Sequence, residues 1–194
     1  MRAFFREIVI TIILAVVIFF VLQATVGSFI VVGISMEPSF HGGQRLLVNK
    51  VVYRLHEPER GDVIVFEPTD SRQGDYIKRI IAQPGDTVEI KRGAVYVNGT
   101  KLDEPYIKSS PRYTIEQQKV TENNYFVLGD NRNNSNDSHN GWVVPSQKIV
   151  GKVWLSIWPP AEWGIVPTYS LIEKLASLIS DCLAGVPILH IYNR

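Results

Sequence analysis

Hydrophobic and polar positions are spread unevenly along the 194-residue chain. No ionisable side chain falls between Glu7 and Glu37, and Ile8 to Leu22 is a nearly unbroken run of Ile, Val, Leu, Phe and Ala. Because about 18 to 20 helical residues rising about 1.5 Å each cross a bilayer core of about 30 Å, this run predicts a membrane-spanning helix over 8–26. Arg2 and Arg6 lie in the preceding segment, 1–7, so the positive-inside rule puts that tip in the cytoplasm and the remainder across the membrane. A cleavable secretory signal also starts with a basic tip and an apolar run. Here the run outlasts the usual length of about 7 to 15 residues and no A-x-A pattern follows, so an uncleaved anchor is expected.

After the anchor the periodicity changes. Arg45 to Tyr53, Asp62 to Phe66, Tyr76 to Ala82, Thr87 to Ile90, Ala94 to Val97, Tyr125 to Leu128 and Ile149 to Trp158 are rich in β-branched and aromatic residues and read as strands. Arg92-Gly93 and Asn98-Gly99 are hairpin punctuation, and Pro68, Pro84 and Pro105 close neighbouring runs. A mainly β domain over 27–169 is predicted. In 170–194, Leu171, Ile172, Leu175, Leu178, Ile179 and Leu183 recur at helical spacing, which predicts an amphipathic C-terminal extension that docks on the β body or lies on the membrane.

Composition narrows the function classes. Twenty Lys and Arg against 19 Asp and Glu leave a formal net charge of +1, without the cationic excess of nucleic-acid-binding proteins. A 45% hydrophobic content supports a packed core. Cys182 is the only cysteine, so there is no internal disulfide and no Cys-rich zinc site. His41, His56, His139 and His190 lack metal-ligand spacing, and no cofactor is expected.

A search for nucleophiles and activators singles out four stretches: Gly33 to Ser39, Gly61 to Phe66, Tyr76 to Asp86, and Gly129 to His139. Ser35 follows the strand-like run Phe29 to Ile34, at what reads as a strand end. Serine needs a base to take its proton. Alternation along the third stretch puts Tyr76, Lys78 and Ile80 on one face and Ile77, Arg79 and Ile81 on the other, so Lys78 has an aromatic and a β-branched neighbour. Bringing lysine from about 10.4 into the range of about 7 to 8 useful to a general base takes roughly 4 kcal/mol, which burial supplies. A surface lysine with its stem along apolar neighbours is the alternative. The polar run Asp130 to Asn140, with five Asn, two Asp and two Ser, reads by itself as a solvated loop.

In this order behind an anchor, the four stretches resemble type I signal peptidases, over roughly Ser28 to Pro159. The resemblance implies a signal-peptidase-like β-rich catalytic domain and a Ser/Lys dyad, with Ser35 as nucleophile and Lys78 as general base. It implies further that Ser135 orients the base, that Asp137 belongs to a charge pair shaping the site, and that Gly129 and Asp130 support it; Arg79 is counted with this supporting set. Where an arginine usually partners the aspartate, this chain has His139, a substitution familiar among cyanobacterial and plastid-type members. Gly33 stands where one branch has a serine that donates to the oxyanion, leaving the Ser35 N–H and a second donor from backbone or water. Ser39 and Ala82 replace the usual threonine and glycine. Adjacency to the nucleophile makes Ile34 and Met36 expected pocket walls. The implied substrates are preproteins with N-terminal signal peptides cleaved after small A-x-A-type residues, and the implied setting is a plasma or thylakoid membrane beside the translocation machinery. Two rivals share these residues: a Ser-His-Asp hydrolase using Ser35, His139 and Asp137 or Asp130, and an anchored β-domain that binds exported proteins without cutting them.

Overall fold

A computed structural model describes residues 2–68 and 74–169. The C-terminal extension and Cys182 lie outside the described residues. Helix α1 runs Arg2–Thr25, longer at its start than the apolar pattern predicts, and every side chain from Phe4 to Leu22 is exposed. Its apolar window, Phe4–Thr25, is 22 residues, about 33 Å at the α-helical rise.

The rest is mainly β, as expected. In chain order the strands are β1 (Val26–Ile30), β2 (Arg45–Asn49), β3 (Val63–Phe66), β4 (Tyr76–Ala82), β5 (Thr87–Lys91), β6 (Ala94–Val97), β7 (Thr100–Lys101), β8 (Ile115–Lys119), β9 (Asn124–Leu128), β10 (Val144–Pro145), β11 (Ile149–Trp158) and β12 (Gly164–Ile165). One antiparallel sheet has the order β1-β2-β11-β3-β4-β9-β10, with β12 added to β11; a smaller one has the order β7-β6-β5-β8.

The central strands are apolar on both faces because both faces are covered. Val63 and Val65 of β3 enter a cluster with Val31, Met36, Phe40, Leu46, Val48 and Val153, whereas Ile64 and Phe66 enter one with Ile80, Tyr125 and Val127. On β9, Phe126 and Leu128 face away from Tyr125 and Val127, into a third cluster with Val88, Ile90 and Val95 of the small sheet. Three core regions therefore meet along β4 and its neighbours. A strand in that position cannot slip by one residue without exposing a buried set.

Two sequence expectations change. The run Arg45 to Tyr53 is not one strand: Asn49 Oδ1 accepts from the N–H groups of Val51 and Val52, both at 3.0 Å, and starts the 3₁₀ turn Val52–Arg54. The run Phe29 to Ile34 is a strand only to Ile30. Val31 makes one more pair of bonds, with Gln44 and Gly43, before Gly33 turns the chain with φ of +85°.

Candidate active site

Ser35 sits in a turn, not on a strand end, and the turn brings it to the middle of β4. Lys78 lies on β4 opposite Ile64 of β3 and is only 4% exposed. Its Nζ donates to Ser35 Oγ at 2.8 Å and to the Ile77 carbonyl at 2.9 Å. Burial pushes the Lys78 ammonium down to about 8, against the opposing pull of the Asp137 and Asp130 carboxylates, which favour its charged form. The surface-lysine alternative is thereby set aside.

Its strand neighbour Arg79, 1% exposed, points the other way and is held quite differently. Arg79 Nε and Nη2 donate to the two oxygens of Asp130 at 2.9 and 2.7 Å, Nη1 donates to the Gly61 carbonyl at 2.9 Å, and the guanidinium lies over the Tyr106 ring at 4.1 Å from its centroid. Two adjacent buried cations thus have opposite surroundings. Arg79 has a bidentate carboxylate, and Lys78 has a hydroxyl and a carbonyl.

The polar run is not a solvated loop. Asp130, Asn131, Arg132, Asp137 and Ser138 are buried. Asp137 accepts from Gly129 N–H at 2.9 Å through Oδ2, and its Oδ1 lies 2.7 Å from His139 Nδ1, so the Asp137–His139 pair forms. The His139 ring stacks on Tyr113, with centroids 4.4 Å apart. A Cβ on Gly129 would run into Ser135 Oγ and the Ser35 carbonyl, so only glycine permits this approach. Ser135 is therefore at the site, but its buried Oγ has no hydrogen-bond partner and the expected bond to Lys78 is not made.

The pocket walls differ from expectation. A cavity of about 230 Å³ beside Ser35 and Lys78 is lined by Ile30, Val31, Val32, Tyr76, Ile77 and Asn136, among others. Ile34 and Met36 do not line it. In a turn, sequence neighbours do not flank Ser35 as strand neighbours would: Met36 folds under it into the core at 1% exposure, and Ile34 points outward at 52%. Gly33 does not supply a side-chain donor; among the described residues no acceptor takes the Ser35 N–H.

Three groups escaped the sequence reading. Asn131 fastens the Ser35 turn, its N–H donating to the Ser35 carbonyl and its Nδ2 to the Ile34 carbonyl, both at 3.0 Å. Arg132 is fully buried, pairs with Glu104 (Nη1 to Oε2, 2.9 Å) and donates from Nε to the Gly129 carbonyl at 3.1 Å. Tyr106 and Tyr113 cover the two charge pairs. Asn131 and Arg132 stand within the fourth stretch and could have been included; Glu104, Tyr106 and Tyr113 sit in irregular backbone whose polar and proline-rich sequence gives no signal of burial.

This geometry, a half-buried serine in contact with a buried lysine on a β domain behind an apolar helix, is that of a site built around a serine hydroxyl and a lysine amine. Residues 2–158 match the family model described as signal peptidase, peptidase S26, and the chain belongs to that family. It is similar to probable signal peptidase I-2 of Synechocystis sp., 46% identical over 137 residues, which is 68% of this chain and 63% of that relative. It is also similar to signal peptidase I of Leptolyngbya laminosa, 42% identical over 145 residues, 70% of this chain and 71% of the relative. The chain thus spans a little under two thirds of the first of these relatives. A crystal structure of signal peptidase I from Enterococcus faecalis matches with a TM-score of 0.43 and 32% identity, over 50% of this chain and 97% of that one. The cyanobacterial relatives agree with the resemblance read from the four stretches.

Proposed function

We propose that the chain is a membrane-anchored serine endopeptidase that removes N-terminal signal peptides from exported preproteins, with Ser35 as nucleophile and Lys78 as general base. The observation that carries this reading is the 2.8 Å contact between Lys78 Nζ and Ser35 Oγ in a buried setting that favours neutral lysine. In the neutral amine, one N–H stays on the Ile77 carbonyl and the lone pair turns to Ser35, so the hydroxyl donates along the same line. Ser35 Oγ attacks the scissile carbonyl while its proton passes to Lys78, which then gives it to the leaving amine of the mature protein. Water, deprotonated by Lys78, hydrolyses the acyl-enzyme. The unengaged Ser35 N–H is available to the oxyanion.

The largely apolar walls of the cavity suit the uncharged side chains of an extended peptide, and cleavage after small residues is what the family resemblance implies. Ser35 follows Thr25 by ten residues, at most about 35 Å of chain, which keeps the reaction near the bilayer where a signal peptide's own apolar segment resides. α1 anchors the domain with 1–7 on the cytoplasmic or stromal side of a plasma or thylakoid membrane and the β domain opposite, where emerging preproteins and the translocation machinery meet it.

Among the described hydrogen bonds none joins His139 to Ser35, whereas Lys78 Nζ contacts Ser35 Oγ at 2.8 Å, which disfavours the Ser-His-Asp alternative. The test is cleavage of a purified preprotein in detergent, with sequencing of the product's new N-terminus. Wild type is expected to cut after a small residue. Ser35→Ala and Lys78→Ala are expected to lose nearly all activity, and His139→Ala to lose much less than the roughly 100-fold that removal of a general base costs. No cleavage by wild type, or equal cleavage by Ser35→Ala, refutes the assignment.

A further inference from the structure

A second recess, of about 670 Å³, lies away from Ser35 and Lys78 and takes no part in the chemistry above. Its lining joins Ala24, in the last turn of α1, to Lys50, Arg54, Glu57 and Glu122. Lys50 is fixed to the end of α1 through its backbone, its N–H donating to the Thr25 carbonyl at 2.9 Å. Its side chain crosses Gly27, where a Cβ would lie 3.5 Å from Nζ. The ammonium therefore sits two residues past the end of the apolar helix. Arg54 follows on the 3₁₀ turn, and beside it Leu55 is 78% exposed.

Neither Lys50 nor Arg54 takes part in an ion pair among the described residues, although most buried and several exposed cations of the domain do. Depth in the membrane explains what they face. If α1 spans, its uncharged part, 8–25, rises about 27 Å and uses up most of the hydrocarbon thickness, so Thr25 lies at the boundary and the two cations lie in the headgroup layer just beyond it. Cations there also meet the negative end of the helix dipole, while lipid phosphates supply the missing counter-charge. Glu57 and Glu122 in the same lining oppose a second negative charge and offer acceptors to hydroxyl groups.

We propose that this recess binds the headgroup of an anionic phospholipid, with its phosphate on Lys50 and Arg54 and an uncharged, hydroxyl-bearing alcohol toward the carboxylates. Phosphatidylglycerol has that chemistry. Leu55 dips toward the acyl boundary beside it. The lipid fixes how the β domain sits over the end of α1, and so the height of Ser35 above the bilayer. The inference rests on the reading of α1 as an anchor.

The full chain is placed in vesicles of phosphatidylcholine containing spin-labelled phosphatidylglycerol or spin-labelled phosphatidylcholine, and the immobilised fraction of each is measured. At about five-fold per interfacial cation, the expected preference for phosphatidylglycerol at the site is roughly 25-fold, falling toward unity in Lys50→Gln/Arg54→Gln. The exposed cations of the small sheet serve as the control, and Lys101→Gln/Lys119→Gln keeps the preference. Retained cleavage of a soluble peptide shows that each variant is folded. Equal immobilisation of the two lipids by wild type, a preference that survives in the double variant, or displacement of the lipid by millimolar inorganic phosphate overturns the proposal. Extraction of the wild-type chain from vesicles by alkaline carbonate instead sinks the anchor reading itself, so the two failures are told apart.

Discussion

Lys78 must be uncharged to take a proton from Ser35, and pH is the perturbation that tests this directly. Burial lowers its pKa from 10.5 to about 8. At pH 7 that leaves roughly a tenth of the molecules with a neutral lysine, against about one in 3,000 for an unperturbed side chain. kcat/KM for a signal-peptide substrate, measured in one detergent from pH 5 to 10, is expected to rise about ten-fold per pH unit below 8 and to level off near 9. A rate that is flat across the range, or one still climbing with a midpoint near 10.5, refutes the assignment of Lys78 as base. The same displacement acts on stability. A lysine whose folded pKa lies below its unfolded value destabilises the fold fully at pH values under about 8, and the penalty fades as pH rises toward 10.5. The difference is worth about 3 kcal/mol. Lys78→Met, which keeps the stem and removes the charge, is therefore expected to be inactive yet to unfold at a higher temperature than wild type at pH 7, with the gap closing by pH 10. A lower Tm for Lys78→Met at pH 7 contradicts the burial argument even if activity is lost.

Asp130→Asn leaves the buried Arg79 guanidinium without its bidentate partner, and the expected loss is about 3–5 kcal/mol, seen as a fall in Tm of roughly 10 °C; a change under 2 °C argues that the pair is structurally idle. Gly129→Ala drives a methyl into Ser135 Oγ and the Ser35 carbonyl, so kcat is expected to fall by about 100-fold with a smaller effect on substrate KM; unchanged kcat removes Gly129 from the set that places the nucleophile. Asn131→Ala cuts the side-chain tie to the Ile34 carbonyl, and a kcat loss of about ten-fold at a Tm within a few degrees of wild type is expected from a group that positions Ser35.

Strands rich in β-branched and aromatic residues were the most legible elements. β4, β6 and β11 begin and end where such runs do, even though β4 includes Lys78 and Arg79 and β11 exposes Trp154 and Trp158. β8, with the sequence IEQQK and four exposed residues, carries no such pattern; it is a strand because β5 offers an edge to pair with. The short pairs β7, β10 and β12 likewise depend on partners. At the site, Ser35 and Lys78 were found through stretches that sit in strands and turns of strong local character. The pocket walls were not, since adjacency in sequence stands for adjacency in space along a strand but fails at a turn, which sends Met36 inward and Ile34 out. Glu104 and Arg132 gave no sign of their pairing in the sequence, because only the folded chain shows that each is the other's counter-ion. Ser135 shows the reverse: its position was legible, its expected hydrogen bond was not made.

The two ties from Asn131 to the Ser35 turn join residues 96 and 97 positions apart. Contacts of such long range close after local hairpins, since the intervening loop must first be drawn in. A chain that has formed α1 but not yet paired β9 with β4 accordingly holds a serine and a lysine without a common geometry. On the proposed function, hydrolytic power is thus withheld until the domain is whole, and a half-folded copy would be harmless to exported chains emerging around it.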